Sequence, residues 1–149
     1  MMITVIQRVK QAQVTVDDKI IGRIGQGLVI LVGVFKNDSE RDATFLADKI
    51  AGLRIFGDEQ HKMNLSIKDV HGSALVISQF TLCGDWRKGR RPSFTGAADP
   101  RIGRKLYEEF ISALQAAAVP TEQGIFGAMM DVSLTNDGPV TFVLDTQFQ

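Results

Sequence analysis

The sequence is poor in the residues that most often carry covalent, redox or metal chemistry. Its 149 residues include one cysteine, Cys83, and two histidines, His61 and His71. A single cysteine cannot form an intramolecular disulfide. The two histidines lie in separate polar stretches with no further cysteine or histidine at ligand spacing, which leaves too few ligands for a tetrahedral zinc site. We therefore expect no metal and no other cofactor.

The sequence also lacks a net charge and a long apolar run. Its 17 basic and 17 acidic residues cancel, so any contact with nucleic acid must come from a local patch rather than from an overall field. The longest uncharged apolar run, residues 27–35, is far shorter than the roughly 20 residues of a membrane-spanning helix. Because no secretory leader is visible either, these features predict a soluble protein of the reducing cytoplasm.

Three common catalytic patterns are missing as well. The sequence contains neither a Gly-x-x-x-x-Gly-Lys-Ser/Thr run nor a Gly-x-Ser-x-Gly elbow. The glycines at 22, 25 and 27 have the wrong spacing for a dinucleotide-binding loop and are typical of hairpins. Nothing in the spacing favours a triad between either histidine and Ser78 or Ser93. An enzyme with this sequence would depend on placement and charge stabilisation more than on a histidine-activated nucleophile.

The hydrophobic pattern predicts a single α+β domain over residues 1–149. Helical spacing of apolar residues, in each case after a good capping residue, occurs in 39–53 and from Asp99-Pro100 to just before Pro120. Strand-like alternation or short apolar runs occur in 2–16, 28–34, 74–80, 129–134 and 140–144. We expect a large, mostly antiparallel, barrel-like sheet with two main helices, and we expect Met129 and Met130 to lie in its core.

The strand predicted at 74–80 ends in a polar stretch, Ser78-Gln79-Phe80-Thr81-Leu82. Such a stretch presents side chains and backbone amides where a strand stops, and this is a suitable place for chemistry. Serine and threonine are also ordinary at strand ends, where they satisfy local backbone groups. Composition alone therefore favours a structural role, and a catalytic role stays open.

Near the other end of the chain, Asn136-Asp137-Gly138-Pro139 places a flexible residue beside a rigid one. Asp-Gly and Gly-Pro both mark turns, so the simplest interpretation is a hairpin turn between the last two strands. The alternative interpretation is a rigid piece of backbone that discriminates between ligands.

A local basic patch is present despite the zero net charge. Arg87, Lys88, Arg90 and Arg91 fall within five positions, next to Trp86. Most charge runs of this kind are solvated loops. Because this one lies close to the polar stretch at 78–82, we expect it to contact the phosphates of RNA, with Trp86 as a stacking surface.

Together with residues 2–9, 22–28 and 91–94, the two polar motifs resemble those of the D-aminoacyl-tRNA deacylases. These hydrolases free tRNA from wrongly attached D-amino acids. The resemblance extends over almost the whole chain. It implies a homodimeric, metal-free enzyme that acts on D-aminoacyl-tRNA and on glycine mischarged on alanine tRNA, with no membrane partner.

The resemblance also implies roles for individual residues. Ser78, Gln79, Phe80 and Thr81 would form the catalytic site, with the backbone of Phe80 and the amide of Gln79 facing the terminal adenosine and the scissile ester. The resemblance leaves open whether Thr81 or a hydroxyl of the RNA assists catalysis. Because a hydroxyl without a base is a weak nucleophile, we favour an orienting role for Thr81.

For the second motif, the resemblance implies a cis Gly138-Pro139 peptide that reaches into the active site of the partner subunit. Its carbonyls would hold the α-amino group and exclude any L side chain. The residues by themselves leave two alternatives, a non-catalytic RNA-binding module and a dimeric β-rich structural protein in which the Gly-Pro turn is only an interface.

Overall fold

In the computed structural model, which describes residues 1–148, two helices pack on one face of a six-stranded sheet. The helices are α1 (Glu40–Gly52) and α2 (Pro100–Ala116). The strands of the main sheet are β1 (Ile3–Val16), β2 (Lys19–Ile24), β3 (Gly27–Gly33), β6 (Ser73–Ser78), β7 (Thr121–Gln123) and β8 (Asp131–Asp145). A separate small hairpin pairs β4 (Phe56–Gly57) with β5 (Met63–Leu65). Single 3₁₀ turns cover Phe80–Cys83 and Thr146–Phe148.

The sheet closes almost into a barrel. Its strand order is β2-β1-β3-β6-β7, and β8 pairs with the free side of β1. The two ends of this order approach each other, because a Cβ built on Gly22 of β2 would lie 2.9 Å from the carbonyl oxygen of Gln123 in β7. Glycine at position 22 therefore permits a close approach of two strands, in addition to any role in the hairpin.

The predicted α+β architecture, with two helices on a mostly antiparallel, barrel-like sheet, is confirmed. The pairs that β1 forms with β2, β3 and β8 are antiparallel. The β3–β6 and β6–β7 pairs are parallel, a feature that the apolar pattern did not predict. Parallel neighbours need a crossover connection, and α1 and α2 lie on the two crossovers.

Both helices begin where their capping residues predict. Asp99 caps α2, since its carboxylate accepts hydrogen bonds from the amides of Arg101 (3.0 Å) and Ile102 (3.2 Å). Pro100 occupies the first turn, where its missing N–H costs nothing. Ser39 precedes α1, and its amide donates to the Asp42 carboxylate at 2.8 Å.

Two hydrophobic cores lie on opposite faces of the sheet. The larger core joins the sheet to the helices and includes Ile6, Ile30 and Val76 with Leu46 and Phe110. The smaller core fills the barrel and includes Val14, Val29, Leu75 and Ile77. The central strands β3 and β6 are thus covered on both faces, which explains their continuous apolar sequences.

The predicted hairpin at residues 136–139 is wrong. Both flanking runs belong to one strand, β8, and both pair antiparallel with β1, from Ile3↔Asp145 to Thr15↔Asp131. The chain therefore does not reverse direction there. The turn-forming residues instead produce a local excursion within a continuous strand. Among residues 1–148, no helix is long and apolar enough to span a membrane.

Tyr107 links α2 to the sheet beneath the polar motif. Its hydroxyl donates to the carbonyl oxygen of Val76 at 2.7 Å, two residues before the end of β6, and its ring packs against Phe126 with centroids 6.0 Å apart. Burial raises the pKa of Tyr107. The hydroxyl therefore remains a donor over the whole physiological pH range.

We expect Tyr107→Phe, which removes only this hydrogen bond, to lower the free energy of unfolding by about 1 kcal/mol. Tyr107→Ala also removes the buried ring and should cost about 3–5 kcal/mol. Urea denaturation of the two variants beside the wild type measures both values. Equal stability of Tyr107→Phe and the wild type would contradict the structural role of the hydroxyl.

Candidate active site

The motif Ser78–Leu82 lies where β6 ends and the chain turns away from the sheet. Ser78 is the last residue of β6 and pairs with Val32 of β3. One residue later the chain is still tied to β3, because the Gln79 amide donates to the Val32 carbonyl at 2.7 Å. The 3₁₀ turn Phe80–Cys83 follows immediately. The sheet thus fixes the position of the motif up to Gln79.

Two polar side chains of the motif bond to each other. The Gln79 side-chain amide donates to the Thr81 hydroxyl oxygen at 2.5 Å. Among residues 1–148, no carboxylate or imidazole hydrogen-bonds to Thr81. Its hydroxyl accepts from Gln79 and keeps its own proton for donation. This arrangement suits a group that orients a ligand better than one that attacks it.

Cys83, at the end of the same turn, is a structural residue. Its side chain is buried, and its sulfur contacts the Val34 carbonyl oxygen at 3.4 Å. Burial, with a smaller contribution from the nearby Asp38 carboxylate, raises the pKa of the thiol to about 11. A thiol with such a pKa remains protonated at neutral pH and is not a nucleophile.

Aromatic contacts join the motif to the loop that follows it. The exposed Phe80 ring meets Phe94 edge to face, with centroids 5.2 Å apart. Phe94 in turn covers Gly84, where an added Cβ would lie 2.9 Å from the ring. Asp85 and Ser93 close the loop with two backbone hydrogen bonds of 2.7 and 2.9 Å. The loop therefore has a defined base beside Phe80.

The basic residues of this loop are not equivalent. Arg87 donates to both oxygens of Asp85 at 2.8 and 2.7 Å, and this contact holds the pKa of the Asp85 carboxyl well below its usual range. Lys88, Arg90 and Arg91 are exposed and form no ion pair among residues 1–148. The charge of Arg87 is thus largely compensated, and the other three cations remain available to an anion.

A cavity of about 530 Å³ opens beside the motif. Ser78, Gln79 and Phe80 form one part of its wall, and Thr81 lies outside it. The rest is mainly apolar and includes the start of α2 and the segment before β8, with Pro100, Gly103 and residues 126–130 among its members. The cavity therefore joins the predicted polar motif to a segment that sequence reasoning missed.

Met129 shows how that segment was missed. The prediction that Met129 lies in the core is wrong, since the residue is 92% exposed and lines the cavity. Met130 is partly buried against the smaller core and also lines the cavity. In the sequence, the stretch 124–130 lacks helical or strand periodicity and contains Gly124 and Gly127, which is typical of an irregular segment. In the structure, Gly127 has a φ of +79°.

The second motif forms a bulge that projects from the edge of the sheet. Between the pairs Gln7↔Thr141 and Val9↔Asn136, β1 has one residue, Arg8, and β8 has four, residues 137–140. The extra residues have no partners on β1 and must leave the ladder. Gly138 and Pro139 lie exposed in this excursion, and the peptide bond between them is cis.

Side chains at the base of the bulge hold it to β1. The Asn136 side-chain amide donates to the carbonyls of Arg8 at 2.9 Å and Val140 at 3.2 Å. Arg8, which sequence reasoning did not single out, donates to the Ile55 carbonyl at 2.7 Å. Its Nε lies 3.1 Å from the Asp137 carboxylate in an ion pair. The excursion is thus anchored at its start, at its end and at Asp137.

The two motifs do not line one cavity within a single chain. Neither Gly138 nor Pro139 lines the cavity beside Ser78. The two histidines, both at positive φ, do not line it either. Among residues 1–148, no group of three or more His, Cys, Asp or Glu side chains is placed to hold a metal ion.

A family model described as D-Tyr-tRNA(Tyr) deacylase matches residues 5–145 of the sequence. The chain belongs to this family. The membership confirms the resemblance seen in the motifs, and it places the chain among enzymes that hydrolyse the ester bond of aminoacyl-tRNA.

Individual members of the deacylase family are similar over nearly their full length. A D-aminoacyl-tRNA deacylase of Geobacter sulfurreducens is 56% identical over 143 residues, which cover 96% of this chain and 94% of that protein. The corresponding protein of Pelobacter propionicus is 57% identical over 141 residues, with 95% and 97% covered.

Solved structures show the same deacylase fold. A protein described as c-Myc DNA unwinding element binding protein superposes with a TM-score of 0.90 at 35% identity, with 97% of this chain and 98% of that chain covered. A probable eukaryotic D-amino acid tRNA deacylase superposes with a TM-score of 0.84 over 97% and 100% of the two chains. At 18% identity, the second comparison bears on the fold alone.

Proposed function

We propose that this deacylase hydrolyses the ester of D-aminoacyl-tRNA, and of glycine mischarged on alanine tRNA, as a homodimer whose two sites each use the Gly138-Pro139 bulge of the other subunit. One observation carries the proposal. The cavity at the end of β6 and the bulge on β8 are separate in one chain, so a site that uses both motifs needs two chains.

The cavity suits the terminal adenosine of tRNA. Its volume of about 530 Å³ is in the range of small-molecule sites, and its wall includes the aromatic residues Phe80 and Phe126. Unpaired bases are commonly bound by stacking on aromatic side chains. With the base in the cavity, the ribose and its ester would lie near Gln79 and Thr81 at the rim.

The reaction needs placement rather than a strong base. Water attacks the ester carbonyl and the bond to the ribose 3′-oxygen breaks; one proton of the water passes to that oxygen, the other is released to solvent, and the amino acid leaves as a carboxylate. Thr81, whose hydroxyl is oriented by Gln79, would donate a hydrogen bond to the developing charge. Loss of one such donor in other hydrolases costs about 2.7–4 kcal/mol of transition-state stabilisation.

Chirality would be read by steric exclusion. In the proposed dimer, the exposed backbone at Gly138 and Pro139 would occupy the space that an L side chain needs, while its carbonyls hold the α-amino group. Glycine and D residues would not collide with it. The anchoring of the bulge by Asn136 and Arg8 supports this role, because steric exclusion requires a rigid backbone.

The sheet offers a surface for the second subunit. Val5 lies opposite both Leu31 and Val143 in the ladder, so the three side chains share one face. Val143 is 64% exposed, and Val5 and Leu31 are partly exposed. On the same face of β8, Thr141 lies between Val143 and the bulge, and its hydroxyl accepts a hydrogen bond from the Gln7 side-chain amide at 3.1 Å. A second copy seated there would cover the face and carry its own bulge toward the site.

The basic loop would bind the acceptor stem of the tRNA. Lys88, Arg90 and Arg91 present uncompensated charge beside Phe80, and Trp86 is 77% exposed at the same loop. Phosphate contacts of this type weaken steeply as salt rises. Arg87, paired with Asp85, would serve the shape of the loop more than its charge.

The direct test is deacylation of D-tyrosyl-tRNA and L-tyrosyl-tRNA by the purified protein, with glycyl-tRNA(Ala) as a third substrate. We expect rapid loss of the D-ester and the glycyl ester and no loss of the L-ester above the uncatalysed rate. Binding of all three without turnover would indicate an RNA-binding module instead. A protein that neither binds nor hydrolyses any of the three substrates would favour a structural role and contradict the proposal.

Thr81→Ala tests the orienting role. We expect kcat on D-tyrosyl-tRNA to fall by about 100- to 1,000-fold, equivalent to about 2.7–4 kcal/mol, and Thr81→Ser to retain most of the activity. Thr44→Ala, at an exposed threonine of α1, is the control for loss of a threonine hydroxyl elsewhere. A fall of Thr81→Ala to the uncatalysed rate would show that the hydroxyl takes part in the chemistry itself.

Pro139→Ala tests the filter. The alanine backbone is less restricted than that of proline, so we expect hydrolysis of L-tyrosyl-tRNA to rise by about tenfold or more relative to that of the D-ester. Stability should change by less than about 1 kcal/mol because Pro139 is exposed. Pro120→Ala, at another exposed proline, is the matched control. Unchanged rejection of the L-ester in Pro139→Ala would count against the filter.

A further inference from the structure

A second and larger concavity lies on the outer surface of the barrel, away from the helices. It has a volume of about 750 Å³ and is formed where β2, β1 and β8 run side by side. We call it the outer groove. Its side chains that can donate hydrogen bonds are Lys10, Gln11, Gln13, Arg23, Ser133 and Thr135. None of its lining residues is acidic.

The polar side chains of the outer groove form rows across the three strands. Gln13 lies opposite Arg23 of β2 on one side and opposite Ser133 of β8 on the other. Gln11 lies opposite Thr135 in the next row on the same face. Directly opposed residues point to the same side of a sheet. The strands therefore present a continuous hydrogen-bonding surface rather than scattered polar residues.

The positive charge of the outer groove is not compensated by acidic residues. The Arg23 guanidinium donates twice to the side-chain oxygen of Gln13, at 3.2 and 2.9 Å. Gln13 is neutral, so it orients the guanidinium without cancelling its charge. Lys10 forms no ion pair among residues 1–148 and is exposed. In a chain of zero net charge, two cations without an acidic lining residue form a site for an anion.

The position of the outer groove indicates which anion this is. Thr135 directly precedes Asn136, the residue that anchors the bulge, and Pro139 follows within four residues. Four residues span at most about 14 Å. The groove is thus held at a short, fixed distance from the Gly138-Pro139 bulge on the same strand.

We propose that the outer groove binds the phosphodiester backbone of the tRNA whose 3′ end occupies the active site of the partner subunit. This inference rests on the proposed function, in which the bulge of one subunit closes the site of the other. RNA leaving that site must pass the subunit that supplies the bulge. Lys10 and Arg23 would contact phosphates, and the glutamines and hydroxyls would contact phosphate oxygens or ribose hydroxyls. Each tRNA would then be held by both subunits.

The experiment compares the affinities of two double variants for uncharged tRNA over a range of salt concentrations. Lys10→Gln/Arg23→Gln removes both cations of the groove. Lys19→Gln/Lys62→Gln removes two exposed lysines that lie outside it and is the matched control for net charge. Fluorescence anisotropy with labelled tRNA gives the dissociation constants, and sedimentation gives the oligomeric state of each variant.

We expect the groove variant to bind tRNA about tenfold more weakly at low salt. Its plot of log K against log salt should be shallower by about 1.4 to 1.8, the value for two lost phosphate contacts. The control should keep the affinity and slope of the wild type. In hydrolysis of D-tyrosyl-tRNA, the weaker binding of the groove variant should appear as a higher KM with little change in kcat.

Two results would overturn the inference. The first is equal affinity and salt slope for the groove variant and the control. The second is a change of oligomeric state in the groove variant alone, which would identify the groove as a contact between subunits. Because uncharged tRNA is the ligand, the binding result stands apart from catalysis. A wild-type protein that binds tRNA through the groove but hydrolyses no ester would refute the proposed function but not the binding of RNA by the groove.

Discussion

The pairing of β8 with β1 is the constraint on which the rest of this structure depends. It extends from Ile3↔Asp145 to Thr15↔Asp131, and its register shifts twice, once where one residue of β1 faces four of β8 and once at Lys10, which has no partner on β8. The ladder on each side of the four-residue bulge fixes where the bulge begins and ends. As a result, a Gly-Pro segment that would be mobile in an ordinary surface loop is held as part of the sheet. The outer groove, the apolar face around Val143 and the bulge all take their positions from this pair of strands.

The proposed site contains little acid-base chemistry. The Thr81 hydroxyl is bonded to an amide and not to a base, and the Cys83 thiol has a pKa of about 11. What the fold supplies instead is position. Gln79 is tied to β3, Phe80 is packed on Phe94, and Tyr107 ties α2 to β6. An activated ester needs little more than such placement and a stabilised oxyanion.

Local signals made much of the fold predictable from the sequence. Asp99-Pro100 and Ser39 marked the helix starts, and the apolar runs marked β3 and β6, because capping and burial act within a few residues. The parallel order of β3, β6 and β7 depends on crossover connections between distant segments, and the local sequence pattern does not predict it. The sequence 136–139 predicts a hairpin because its residues favour turns. Only the long-range pairing with β1 shows that the strand continues beyond it. The apolar side chain of Met129 predicts burial, whereas its exposure of 92% is set by tertiary packing that no local pattern shows.

The continuity of β8 through the bulge limits what can change in this region. Residues 137–140 leave the ladder between the pairs Val9↔Asn136 and Gln7↔Thr141, so adding or deleting one residue there would change how far the Gly138-Pro139 backbone projects from the sheet. The length of the Gly-Pro excursion is therefore as strongly constrained as its composition, and variation should enter this protein by substitution at that site rather than by insertion.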